Sequence, residues 1–143
     1  MNAFSSLDFI DKTIQKTKSS ELSWKLLPKN FDLKPLPENN ASPTVKYGSA
    51  ITHNFLADYS YVAQFKTGFL TLLVYQQPLN LFSLPPEGCL LSLRMQDEKS
   101  RYSVEISNSS CDPADSTQLL RLYNLIDKDS SSVSILIDDF LNG

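Results

Sequence analysis

The sequence predicts an α+β protein: one N-terminal helix, an antiparallel sheet of four to six strands, and two C-terminal helices, with the helices packed on one face. Two observations predict this class. Segments 57–77 and 89–107 each alternate apolar and polar residues around a central turn, as hairpins do. Segments with apolar residues at helical spacing lie before and after them. The 143 residues fit a single domain, 1–143, with a sizeable core.

The first helix is predicted over residues 6–18. Ser5 and Ser6 supply capping hydroxyls at its start, and lysines near its end suit the helix dipole. Its apolar stripe consists of Phe4, Leu7, Phe9, Ile10 and Ile14. Residues 21–26 then alternate with period two, which predicts a short strand with Trp24 facing inward or, alternatively, a single helical turn.

Residues 28–43 predict a long irregular connection, because they contain four prolines and three asparagines. Connections of this length are uncommon and are often functional or disordered. Phe31, Leu33 and Leu36 indicate that this one packs partly against the domain.

The first hairpin is predicted to turn at Lys66-Thr67-Gly68, a three-residue loop with Gly68 in the left-handed region. This register pairs Tyr61 with Leu73 and Tyr59 with Tyr75. One sheet face then carries aromatic residues, and the other carries aliphatic ones. The aromatic set is Tyr59, Tyr61, Phe65, Phe69 and Tyr75, and the aliphatic set is Val62, Leu70, Leu72 and Val74.

The second hairpin is predicted to turn at residues 97–100 and to pair Gln96 with Arg101. Its alternation indicates a half-buried antiparallel sheet. The apolar face comprises Leu91, Leu93, Met95, Tyr102, Val104 and Ile106. The opposite face comprises Leu90, Ser92, Arg94, Gln96, Arg101, Ser103 and Glu105. Residues 79–84 offer a further short strand between the hairpins.

Two helices are predicted at the end of the chain. Asp112 and Pro113 provide the N-cap and the first position of the earlier one. Its inward stripe is Leu119, Leu122, Tyr123 and Ile126. The later helix begins at 130–132, and its residues predicted to pack inward are Val133, Leu136, Ile137, Phe140 and Leu141.

Catalytic groupings are not evident in the sequence, which favours a non-enzymatic protein without settling the question. His53 is the only histidine, so zinc or non-haem iron sites cannot be assembled, and we predict no metal, no cofactor and no catalytic residue. Cys89 and Cys111 are expected to be reduced thiols. Adjacent carboxylates such as Asp138 and Asp139 point about 100° apart on a helix and do not converge.

Charge and composition bound the partners. The net charge of −3 disfavours a nucleic-acid partner, whose binding surfaces are normally basic. No apolar run reaches the length of a membrane span, so no membrane partner is expected. The first residues lack an export signal, and we expect a cytoplasmic protein.

The aromatic sheet face is the predicted binding site, provided that the helices cover the aliphatic face. Aromatic residues mixed with arginines are enriched where proteins bind partners. The proposed partner-binding residues are Tyr59, Tyr61, Phe65, Tyr75, Arg94 and Arg101. Alternatively, this face is covered by Trp24, by the 28–43 connection or by a homodimer partner.

The predicted function is therefore a small interaction module that binds a protein or peptide. One alternative is an enzyme or small-ligand carrier with a pocket between the 28–43 connection and the sheet. A further alternative is a single-strand nucleic-acid binder, since bases could stack on the same rings.

Two terminal stretches carry a family resemblance. Residues 9–18 with Leu22-Ser23-Trp24, and the closing segments 119–125 and 137–142, resemble small uncharacterised proteins of Gram-positive bacteria and their mobile elements. The resemblance implies a bacterial cytoplasmic setting, with a role in a mobile element or in phage defence, and it provides no catalytic residues.

Overall fold

The computed structural model describes residues 5–37, 54–76, 86–130 and 132–143. The predicted strand at 79–84, residues 38–43 of the long connection, Phe4 and His53 lie outside this part of the chain. The three helices are α1 (Ser6–Lys18), α2 (Pro113–Ser130) and α3 (Ser132–Asn142). The strands are β1 (Trp24–Leu26), β2 (Asn54–Phe55), β3 (Tyr61–Phe65), β4 (Gly68–Gln76), β5 (Cys89–Asp97) and β6 (Val104–Asn108).

The predicted α+β class is confirmed. The strands form one antiparallel sheet in the order β1-β3-β4-β5-β6, and the two-residue β2 pairs with β4 beyond the end of β3. The predicted helix caps also form: the Ser5 hydroxyl accepts from the Asp8 N–H at 3.2 Å, and the Asp112 carboxylate accepts from the Asp115 N–H at 2.9 Å. Because caps and helical spacing are local features, both helix starts follow directly from the sequence.

The main core lies between the sheet and the helices α1 and α2. Leu72 and Leu93 are direct cross-strand partners at its centre, and both are fully buried. The predicted inward stripe of α2 and Trp24 of β1 belong to the same core. We call this side of the sheet the helical face.

The opposite side of the sheet carries a smaller core, and we call it the loop face. Leu73, Tyr75 and Leu90 are buried there against Leu27 and Leu33 of the connection that follows β1. This connection is irregular and packed down over residues 28–37, as predicted.

The predicted register of the first hairpin is wrong by one residue. Tyr61 pairs with Leu72 rather than with Leu73, and Phe65 pairs with Gly68. The left-handed residue of the turn is Lys66, with φ of 54°, and not Gly68. Gly68 serves a different purpose, because a Cβ there would lie 3.0 Å from the carbonyl oxygen of Gln96 on the neighbouring strand. The glycine permits close approach of β5, a reason that the local turn pattern does not reveal.

The predicted pairing of Gln96 with Arg101 is also wrong. The pair nearest the turn of the second hairpin is Met95 with Val104. A bulge lies farther from the turn, between Leu93 and Arg94. Residues of the 28–37 connection take the bonding positions instead: the Ser103 N–H donates to the carbonyl of Pro35 at 2.9 Å. The observed partner of Met95 is two residues away from the predicted one. Because side chains alternate with a period of two residues, the faces predicted for this pair are unchanged by the shift.

The predicted inward packing of the last helix is wrong. Helix α3 forms as expected and contacts α2. Four of its apolar side chains are exposed, however, to 66, 53, 86 and 73% for Leu136, Ile137, Phe140 and Leu141. The helical face is already occupied by α1 and α2, so it leaves these residues without a surface to cover. The side chain of Val133 lies outside the description.

Candidate interaction surfaces

The one-residue change of register divides the predicted aromatic face. Successive residues of a strand point to opposite sides, so a slip by one moves every side chain of β3 to the other face. Tyr61 therefore lies on the helical face, opposite Leu72, while Tyr75 on β4 lies on the loop face beside Leu90. The prediction that these two tyrosines share a face is wrong.

Tyr61 is a core residue. It is 2% exposed, and its hydroxyl donates to the Asp127 carboxylate of α2 at 2.7 Å. Its ring meets that of Tyr123 edge to face, with centroids 5.7 Å apart. Burial first, and the Asp127 carboxylate second, raise the pKa of the Tyr61 phenol well above its ordinary value. Tyr61 thus anchors the end of α2 to the sheet.

Tyr75 and Arg94 are also buried, on the loop face. The Arg94 guanidinium donates to the Tyr75 hydroxyl at 3.0 Å and to the Ser92 hydroxyl at 3.2 Å. Ser92 in turn donates to Glu105 at 2.6 Å, which links the buried cation to a carboxylate. Burial raises the pKa of the Tyr75 phenol, and the Arg94 charge opposes part of that rise. The network satisfies the polar groups under the connection and leaves neither residue on an open surface.

The other three predicted residues are exposed but do not meet. Tyr59 is in a short 3₁₀ turn (Ala57–Tyr59), where its carbonyl accepts from the Tyr123 hydroxyl at 2.9 Å. Arg101 packs over Tyr102 beyond the second hairpin turn, at 5.8 Å from the ring centroid. Phe65 lies on the helical-face side at the end of β3. The six residues proposed from the sequence therefore do not form one continuous surface.

The connection over 28–37 covers the loop face. The Gln96 side chain fixes it at two points, donating to the Asp32 carbonyl at 2.8 Å and accepting from the Lys34 N–H at 3.0 Å. Phe31 meets Phe69 edge to face at 5.4 Å. Open clefts of about 340 and 530 Å³ lie on either side of this aromatic pair. The connection thus covers part of the loop face, the side on which Phe69 and Tyr75 of the predicted aromatic set lie.

Helix α3 presents four large apolar side chains that are more than half exposed. We define its stripe as Leu136, Ile137, Phe140 and Leu141, which at about 100° per residue span an arc of roughly 140°. Asp139 lies about 60° beyond one edge of this arc and Asp138 about 60° beyond the other. Both carboxylates are exposed, and neither makes an ion pair within the described residues. The helix therefore shows an apolar band with an acid on each side.

A second apolar feature is a small cleft between α1 and the tip of the first hairpin. It measures about 110 Å³, and its lining includes Phe9, Lys12, Lys16, Phe65, Leu70 and Met95. We call it the Phe65 cleft. The ammonium groups of Lys16 and Lys66 each lie 5.6 Å from the centroid of the Phe65 ring. Apolar walls thus carry a basic rim.

The described part of the chain contains no cluster of three or more histidine, cysteine or carboxylate residues that could hold a metal. Cys111 is exposed, whereas Cys89 is half-buried with a thiol pKa raised by burial. The search for membrane spans over the same residues finds no helix with the length and apolarity that crossing a bilayer requires.

Comparisons with known protein families, curated proteins and solved structures find no match to this chain. The α3 stripe was not predicted as a site, and of the Phe65 cleft only Phe65 itself was among the predicted partner-binding residues. A signal for the first was present in the sequence, since the last helix adds another apolar stripe to a sheet face that two helices already fill.

Proposed function

We propose that the protein is an interaction module that binds another polypeptide through the α3 stripe. The observation that carries this proposal is the exposure of four large apolar side chains on one helix. Contiguous apolar patches larger than a few hundred Å² are rare on the surfaces of monomeric proteins, and such patches commonly mark binding sites. The equivalent stripe on α2 is buried, which shows what such a pattern does when a partner surface is present.

A protein partner suits this surface better than a nucleic acid or a small molecule. An apolar stripe along a helix is the recognition element that lies in an apolar groove of a partner, read by residues at i and i+4. Leu136 with Phe140, and Ile137 with Leu141, are such pairs. The flanking Asp138 and Asp139 would repel phosphates and attract a basic rim.

The proposal assigns no catalytic step to the chain. It places the protein in the cytoplasm of a Gram-positive bacterium or of a host of its mobile elements, with a role in such an element or in phage defence. The resemblance of residues 9–18, 22–24, 119–125 and 137–142 to small proteins of that setting supports this part.

The test compares two matched serine substitutions. Phe140→Ser alters the α3 stripe, while Leu120→Ser alters an exposed leucine of α2 outside it. Tagged forms are captured from the producing cell, and a differently tagged second copy is included as a possible bound protein. We expect a stoichiometric partner that is lost with Phe140→Ser and kept with Leu120→Ser. Retention of every bound protein by a folded Phe140→Ser chain contradicts the proposal.

A further inference from the structure

We propose that the partner of the α3 stripe is a second copy of this chain, which receives it in the Phe65 cleft. This inference rests on the proposed function and names its partner. The two surfaces lie on different parts of one molecule, and neither is covered by described residues. Their chemistry matches in three respects, namely size, polarity and sign of charge.

Size and polarity match first. Phe140 is the most exposed side chain of the stripe, at 86%. The cleft of about 110 Å³ is walled by apolar groups of Phe9, Leu70 and Met95. Apolar cavities on the order of 150 Å³ hold a whole benzene molecule. The smaller cleft is open on one side, so it can receive the outer part of an aromatic ring.

Charge matches second. The acids that flank the stripe, Asp138 and Asp139, have no ion-pair partner within the described residues. They also lie near the C-terminal end of α3, where the helix dipole disfavours carboxylates and where no basic residue of the last turn compensates. The rim of the cleft carries Lys12 and Lys16, one turn apart on α1, and Lys66 on the hairpin. Lys16 is already paired with Glu21 at 3.4 Å, so Lys12 and Lys66 are the rim cations without an ion pair among the described residues. Docking therefore brings unpaired acids to the lysines of another molecule.

The same reasoning disfavours pairing of two α3 helices with each other. That arrangement would gather four carboxylates around one apolar seam, and like charges in close contact are unfavourable. A contact between the stripe of one copy and the cleft of another is heterologous. When the stripe of each copy docks in the cleft of the other, the two contacts close a two-fold dimer. When each stripe docks on a different copy, the contacts extend into open chains.

The expected association is weak for a single contact. An 11-residue helix is about 16 Å long and buries less area than a standard stable interface. A closed dimer uses two such contacts, and its formation depends on concentration. Added salt weakens it, because the rim lysines and the flanking acids are exposed to solvent.

The experiment is sedimentation velocity of the full chain over three decades of concentration. We expect wild-type association, at least tenfold weaker with Phe140→Ser and a few-fold weaker with Lys12→Glu. The matched controls are Leu120→Ser on α2 and Lys18→Glu, an exposed lysine of α1 outside the cleft. Both controls should associate like the wild type.

A mixing experiment adds a result that a general loss of folding cannot produce. A Phe140→Ser chain keeps its cleft, and a Lys12→Glu/Lys16→Glu chain keeps its stripe. Each should associate more weakly than the wild type when alone. At the highest concentrations the mixture should form a one-to-one pair through a single contact, under conditions in which neither variant alone associates. Combining Lys12→Glu/Lys16→Glu with Asp138→Lys/Asp139→Lys in one chain should restore self-association.

Three outcomes overturn the inference. The wild type may stay monomeric throughout, the cleft variants may associate unchanged, or the mixed variants may fail to pair while each remains folded. If the wild type is monomeric but Phe140→Ser still loses a different captured protein, the proposed function stands and only the identity of the partner is wrong. If Phe140→Ser loses nothing, the proposed function fails as well.

Discussion

Two identical substitutions in consecutive helices measure whether α3 is free of the core. Leu122 on α2 is fully buried, whereas Leu136 on α3 is 66% exposed. Truncation of a buried leucine to alanine costs about 3 kcal/mol in transfer and cavity terms. At roughly 3 °C per kcal/mol for a chain of this size, Leu122→Ala should lower the melting temperature by about 9 °C.

Leu136→Ala should have a much smaller effect. About one third of this side chain is covered, so the loss is at most about 0.7 kcal/mol of the roughly 2 kcal/mol for full burial. The higher helix propensity of alanine returns about 0.2 kcal/mol. The net loss of about 0.5 kcal/mol corresponds to a melting temperature lower by about 1–2 °C.

Thermal and urea unfolding followed by circular dichroism measure both effects. The protein is kept dilute, because association stabilises the folded state by mass action and would add to the apparent effect of Leu136→Ala. Equal losses for the two variants in dilute solution would refute the reasoning, since α3 would then be packed against the domain. The α3 stripe would cease to be an available surface.

Three further predictions concern other parts of the fold. The pKa of the Tyr61 phenol is raised in the folded state, so the folded chain keeps a proton that the unfolded chain releases near pH 10. The free energy of unfolding should therefore fall as the pH rises above about 10. Urea unfolding from pH 8 to about 11 should show a smaller fall in this free energy for Tyr61→Phe than for the wild type. Cys111 should react with a thiol reagent faster than Cys89, because Cys89 is partly buried and its thiol pKa is raised. In a stopped-flow trace, Cys111→Ser should leave only the slow phase. Gln96→Ala should loosen the connection on the loop face and lower the free energy of unfolding by about 1–2 kcal/mol. Trypsin should then cut that connection sooner than in the wild type. Unchanged cleavage would contradict the role of Gln96 in fixing the connection.

The sequence predicts those elements whose signals are local. The helix bounds at Ser6 and Pro113 follow from capping residues and from apolar spacing within each segment. The shared face of Leu72 and Leu93 follows from alternation along β4 and β5, which tolerates a register change of two residues. The irregular 28–37 connection follows from its prolines.

The register of the first hairpin depends on a non-local fact. The Lys66-Thr67-Gly68 pattern favours a left-handed glycine. Gly68 is instead required by the close backbone of Gln96, which lies 28 residues later in the chain on the neighbouring strand β5. A lysine takes the left-handed position in its place. One residue of register moves Tyr61 from the predicted surface into the core, and the predicted binding site is divided as a consequence.

The location of the free apolar surface follows from the number of faces that one sheet has. A sheet offers two faces, and in the described chain α1 and α2 occupy one while the 28–37 connection, fixed by Gln96, occupies the other. Among the described residues, an additional amphipathic helix then finds neither sheet face free. They leave its apolar stripe exposed, and burial of such a stripe is favourable by about 25 cal/mol per Å². The connection packs on the loop face, and α1 and α2 pack on the helical face, so among the described residues the exposed apolar stripe lies on the last helix rather than on the sheet.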